Sequence, residues 1–152
     1  MLTRRTSTVA LAVGLGLMLV IPALAVEPID VDASKVAIKG YDTVAYFTDG
    51  KPTKGDAQYQ YDWQGAHWYF SSAEHRQLFS QKPESYAPRF GGFCALGMSI
   101  GKRFPVDPEA WTIVDNKLYL NSDQSALAQF KADTTKTIAA ADAQWENVKA
   151  QQ

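Results

Sequence analysis

The chain has 152 residues, with 15 Lys and Arg against 16 Asp and Glu and a formal net charge of −1. Its cations are scattered singly with no basic run, which argues against nucleic acid or an anionic membrane surface as a partner. A single cysteine, Cys94, excludes an internal disulfide and any internal dithiol mechanism.

Residues 1–25 read as a removed signal peptide. Arg4 and Arg5 form a positive start, Val9 to Ile21 is an uncharged apolar run, and Ala23-Leu24-Ala25 offers small residues for cleavage. The run is short for a membrane span and the chain turns polar after it, which favours removal over a retained anchor. Thr3-Arg4-Arg5-Thr6 resembles half of a twin-arginine signal, but no Phe-Leu pair follows, which favours the ordinary secretory route. The expected location is periplasmic or secreted, with no membrane association once the leader is gone. A lone exported thiol is then buried, metal-bound, chemically used or paired between chains.

The remainder divides into a lead-in segment, 26–39, of which Val26 to Ser34 is expected to pack loosely, and one domain, 40–150. Val44 to Phe47 reads as a short apolar strand closed by Asp49-Gly50. Tyr59, Tyr61 and Trp63 alternate with polar residues, Gln64-Gly65 turns the chain, and Ala66 to Phe70 returns as the partner strand. Ser71 and Glu74 have capping-box spacing, predicting a helix from Ser72 or Ala73 to Lys82-Pro83. Pro83 to Tyr86 reads as a single turn, and Gly91 to Gly101 as a shaped glycine-rich loop. Asp107-Pro108-Glu109 reads as a turn. Trp111–Val114 and Lys117–Leu120 flank a two-residue hairpin turn, Asp115-Asn116. A short helix with Leu127 and Phe130 follows, and then a last amphipathic helix over about Thr134 to Lys149. The fold class is α+β: small antiparallel hairpins with helices packed on one face.

The chemistry-bearing residues crowd into one stretch. Both histidines, His67 and His75, lie with Cys94 and Met98 between Trp63 and Met98. Thiolate, thioether and imidazole form a soft donor set that suits copper, with zinc as the other candidate. Cys94, His75 and Met98 are therefore the candidate metal ligands. Cys94 is also the candidate redox nucleophile, with glycines around it to allow close backbone approach. His67, in mid-strand, is the weaker candidate. The glycine-rich loop is expected to fold back over the first hairpin and helix, bringing Cys94 within reach of His75. No H-E-x-x-H, G-x-S-x-G or phosphate-cradling loop occurs.

The block from Gly40 to Tyr86 resembles the YHS domain, a short module of copper-transporting ATPases, monooxygenase-associated proteins and free-standing exported proteins. Asp42-Thr43-Val44-Ala45 matches its first strand, with Ala45 at the position of a family cysteine. Tyr69-Phe70-Ser71-Ser72-Ala73-Glu74-His75 matches its second strand and helix start, with Ser71 and His75 at the two further cysteine positions. Lys82-Pro83-Glu84-Ser85-Tyr86 matches the helix exit. The second half of the chain, from Gly91-Gly92-Phe93-Cys94 onward, is similar to the exported branch. Some members of that branch carry selenocysteine at the position of Cys94, which implies redox use.

Three functions follow as expectations. The first is an exported binding module holding a soft metal ion or a small metal-containing ligand near Cys94 and His75. The second is a single-thiol redox protein in which Cys94 is resolved by a second molecule, such as a periplasmic protein partner. The third is a non-catalytic interaction module presenting the aromatic hairpin to a membrane or redox partner. A binding role is expected ahead of an enzymatic one.

Overall fold

The computed structural model describes residues 26–151, so the predicted leader lies outside them. Among these residues, two antiparallel hairpins and six helices make a small α+β domain. The first hairpin pairs β1 (Asp56–Trp63) with β2 (Ala66–Phe70) around Gln64 and Gly65, whose φ angles of 52° and 72° suit a tight two-residue turn. Strand β2 alternates as its sequence predicts: Ala66, Trp68 and Phe70 are buried, while His67 and Tyr69 are half-exposed.

Helix α2 (Ala73–Gln81) closes the aromatic face of that hairpin with Phe79. The Phe79 ring lies 4.9 Å from Phe70, 5.0 Å from Trp68 and 5.7 Å from Trp63. Trp68, Phe70 and Phe79 are thus core, with Tyr59, Tyr61 and Trp63 partly buried against them. The cap of α2 is Ser72, which accepts from the His75 backbone N–H; the predicted cap, Ser71, gives its hydroxyl to Asp42 instead.

Two predicted segments differ more. Val44–Phe47, read as a strand from its β-branched and aromatic residues, is part of a one-turn helix, α1 (Ala45–Thr48). The carboxylate of Asp42 takes the N–H groups of Val44 and Ala45, at 2.9 and 3.2 Å, and this turns the chain. The lead-in segment joins the domain mainly through its part after Ser34 and through Asp30. Val36 bridges to His67 alongside β2, Ala37 and Ile38 are buried, and the Asp30 N–H donates to the Gly91 carbonyl at 2.8 Å. Some of its backbone groups pair within the segment and others reach across the domain to His67 and Gly91, which ties 26–39 into the core. Gly91 permits that crossing: at φ +61° it has no Cβ, which would stand 1.9 Å from the Pro28 carbonyl oxygen.

Helix α3 (Pro83–Tyr86) is a single turn with Pro at its start. The glycine-rich stretch holds a kinked turn, Arg89–Gly92, and a one-turn helix, α4 (Ala95–Met98). The second hairpin pairs β3 (Asp107–Val114) with β4 (Lys117–Asn121). Asp115 and Asn116 turn it, both at positive φ as a two-residue hairpin requires. Asp107-Pro108-Glu109 is not a free turn but the start of β3, with the register shifting before Trp111. Asp123 caps α5 (Gln124–Ala132) and Asp133 caps α6 (Thr134–Lys149). Two buried clusters result. One joins the first hairpin and α2 to Cys94, Val106, Leu118 and Leu120. The other gathers Met98, Phe90, Phe130 and Trp145 under α6. No helix among the described residues is long and apolar enough to cross a membrane.

Burial raises the pKa of Asp30 above its ordinary value, against the opposing effects of the Val106 N–H and Lys39. Its contribution is therefore most favourable below the unfolded-state value of about 4 and weakens as pH rises through the higher folded value. An Asp30→Asn variant keeps an oxygen for Val106 and carries no charge to desolvate. In urea titrations it should be more stable than the wild type at pH 7, and the difference should close at pH 3.

Candidate functional site

Asp42 is fully buried, and its carboxylate is saturated with donors. One oxygen, Oδ1, accepts from Val44 and Ala45. The other, Oδ2, accepts from the Ser71 N–H at 2.8 Å, the Ser71 hydroxyl at 2.6 Å and His75 Nδ1 at 2.6 Å. A buried carboxylate costs several kcal/mol to desolvate unless hydrogen bonds of this kind compensate it. Four donor residues, Val44, Ala45, Ser71 and His75, thus converge on one anion with their N–H and O–H groups turned inward.

His75 is thereby fixed. With Nδ1 donating to Asp42, the neutral ring presents its lone pair at Nε2. Nε2 lies 3.2 Å from Thr48 Oγ1 and 3.9 Å from Asp49 Oδ1. The single hydroxyl hydrogen of Thr48 faces three acceptors: Nε2, the Val44 carbonyl at 3.2 Å and Asp49 Oδ1 at 2.9 Å. Nε2 has no dedicated donor. The His75 side chain is 12% exposed and that of Asp49 40%, so this edge of the network opens to solvent.

Cys94 lies elsewhere. It caps α4, with Sγ accepting from the Gly97 N–H at 3.4 Å and facing Asn121 Oδ1 at 3.7 Å, and it is 2% exposed. Asn121 Oδ1 also takes the Leu96 N–H at 3.1 Å, which pins α4 to the end of β4. The loop therefore folds against β4, α5 and α6 rather than over the first hairpin and α2. No hydrogen bond joins Cys94 to His75. Met98, fully buried, sits in the second cluster with Phe90, Phe130 and Trp145. The expected meeting of Cys94, His75 and Met98 does not occur, and the reason is local: the glycines let α4 settle on the second hairpin, where Asn121 holds it. Among the described residues no group of three or more His, Cys, Asp or Glu is placed to hold a metal ion.

His67 is committed to a surface pair. Its Nδ1 lies 2.6 Å from Asp62 Oδ1 and 3.0 Å from Gln60 Nε2. The hydrogen bond from His67 holds the Asp62 carboxyl below its usual range. The sequence left Asp42, Thr48, Asp49 and Asn121 unassigned. For Asp42 the available signal was an acidic residue directly before the turn into α1, a position where a carboxylate accepts backbone N–H groups.

The described geometry is a small α+β scaffold in which a buried carboxylate orients one imidazole. Residues 44–90 match the model of the YHS domain, and the chain is a YHS-domain protein. That family is associated with metal binding, copper in particular. The matched stretch contains His67, His75, Thr48 and Asp49 and ends before Cys94 and Met98. No curated protein and no solved structure matches the chain.

Replacing Asp42 by Asn should test the network. The amide keeps one acceptor but points a second donor at Ser71 and His75, so the variant should lose about 3–5 kcal/mol, as broken buried pairs do. Urea denaturation at pH 7 measures this, and a loss below 1 kcal/mol would mean that the carboxylate is not the anchor described.

Proposed function

We propose that the protein is an exported metal-binding module in which His75 Nε2 is the principal donor and Asp49 the second, with Thr48 beside them. The observation that carries this reading is the 2.6 Å contact from Asp42 Oδ2 to His75 Nδ1. It fixes the ring's orientation and tautomer, as carboxylates behind metal-bound histidines do. Metal bonds of about 2.0–2.2 Å to nitrogen and to oxygen can bridge the 3.9 Å between Nε2 and Asp49 Oδ1. Imidazole with carboxylate suits copper(II) or zinc. The copper(I) preference of a thiolate–thioether pair has no basis at this edge, because Cys94 and Met98 are packed elsewhere. Export is supported by Arg4, Arg5, the Val9–Ile21 run and Ala23-Leu24-Ala25.

Isothermal titration with copper(II), with zinc run in parallel, tests the site. His75→Ala should abolish saturable uptake, while His67→Ala should leave it intact. Uptake unchanged in His75→Ala would sink the reading.

A second reading, a single-thiol redox role for Cys94, is supported by one observation. Cys94 lines a pocket of about 360 Å³ with Leu96, Phe104, Ser122 and Ala126. Phe104 and Ile100, at 45% and 67% exposed, stand at its rim. Alkylation by iodoacetamide in the native fold decides it. A redox thiol should react much faster than the protein unfolds; modification only at the rate of global unfolding would assign Cys94 to core packing.

A further inference from the structure

A pocket that includes neither His75 nor Cys94 opens where the lead-in segment, the tip of the first hairpin, the stretch after α3 and helix α6 come together. It measures about 260 Å³, and Trp63 and Trp145 are its largest wall residues. Both indoles are held from behind. Trp63 lies 5.7 Å from the Trp68 ring and 5.7 Å from the Phe79 ring, and Trp145 stands edge to face on Phe90 at 6.1 Å. The walls are thus formed before any ligand arrives, so little ordering accompanies binding. The volume falls below the range of about 300–1,000 Å³ typical of drug-sized ligands, so the occupant is small.

Three charged residues line the same space: Glu27, Glu84 and Arg89. Glu27 shares Lys149 with Glu146, at 3.1 and 2.9 Å, which leaves one negative charge in excess among the three. Arg89 is balanced by Asp142 at 2.6 Å. Glu84 pairs with no cation among the described residues and adds a second excess negative charge. Arg89 nevertheless keeps donors to spare. One terminal nitrogen donates to Asp142, the Nε–H has no acceptor, and the side chain is 37% exposed.

Indole surfaces with excess negative charge beside them attract an organic cation, best one whose charge is spread over methyl groups. A primary ammonium wants acceptors on several sides, and a mostly apolar lining supplies few. The spare N–H groups of Arg89 match a carboxylate. We infer that the pocket binds a small betaine-type zwitterion, its methylated ammonium against Trp63 and Trp145 beside Glu84, and its carboxylate on Arg89. The excess carboxylates oppose a simple anion, and a simple cation leaves the Arg89 donors unfilled. A ligand neutral overall satisfies both ends and leaves the Arg89–Asp142 pair intact.

Glycine betaine, choline and tert-butylacetate separate the two charges. All three carry a trimethyl head; choline lacks the carboxylate, and tert-butylacetate has a neutral carbon in place of the nitrogen. Each is titrated calorimetrically into the purified protein, with tryptophan fluorescence as a second readout. Betaine should bind saturably and more tightly than the other two. Glu84→Gln, a change at an exposed position, should weaken betaine and choline about fivefold, the effect of one partly screened charge, and should not weaken tert-butylacetate. Arg89→Gln should weaken betaine and tert-butylacetate about tenfold, the size of a lost charge-assisted hydrogen bond, and spare choline. Arg89→Lys should fall between, and retained choline binding in either variant shows that the aromatic wall has survived. His75→Ala should change none of these affinities, which separates this site from the metal reading. Absence of saturable betaine binding overturns the inference. Equal affinity for betaine and tert-butylacetate, unmoved by Glu84→Gln, removes the cation assignment, and betaine binding indifferent to both Arg89 variants removes the carboxylate assignment.

Discussion

The buried carboxylate of Asp42 is the constraint on which the rest of the site depends. Five hydrogen bonds converge on it from three separate segments: the turn into α1, the end of β2 and the first turn of α2. Ion-to-dipole hydrogen bonds of this kind are each about twice as strong as neutral ones. Their collective effect is geometric as well as energetic, since a carboxylate has two oxygens in one plane and every donor must approach near that plane. The start of α1 is therefore positioned relative to α2, and Thr48 and Asp49 are carried to the ring of His75. Removing that anion would leave five donor groups, from Val44, Ala45, Ser71 and His75, competing for water in a space closed to it.

The second half of the molecule is organised by close backbone approach. The lead-in segment crosses the domain at Gly91, where a side chain of any size would meet the Pro28 carbonyl. Asp30 there joins the Gly91 carbonyl to the Val106 N–H, so one short segment touches the turn before α4 and the strand approach to β3. Cys94 and Asn121 extend the same logic to α4. A thiol and an amide hold a four-residue helix that has too few hydrogen bonds of its own to persist alone.

Most elements were legible because their signals are local. The alternation of β2, the Asp115-Asn116 turn and the period of α6 each state their geometry within a few residues. What failed was non-local. Val44 to Phe47 has strand composition, but a carboxylate two residues upstream turns it into a helix. Val26 to Lys39 has no period, yet it is ordered by partners at Gly91 and His67. For the candidate site, the sequence grouped Cys94, His75 and Met98 by chemical softness and nearness in the chain. Nearness in the chain says little across three glycines, and α4 settled where Asn121 could accept the Leu96 N–H. Asp42 was hidden for the converse reason. It lies 33 residues from His75, and nothing between them announces the contact.

The resemblance that sets Ala45, Ser71 and His75 against cysteines of metal-site YHS domains then acquires a physical meaning. Thiolates at these positions would surround a cation. Here the same three positions direct N–H and O–H groups at an anion, so the polarity of the centre is reversed and a cation cannot take its place. The scaffold keeps its convergence point and moves the open valence outward, from the centre to the far nitrogen of the one residue that has two. Serine and alanine have no second face to offer; histidine does. A buried cluster encloses an ion on all sides, whereas a single outward nitrogen backed by a carboxylate leaves most of the coordination sphere to whatever arrives. Under the metal reading, that difference places specificity in the surface around the imidazole, where Asp49 Oδ1 lies 3.9 Å from Nε2.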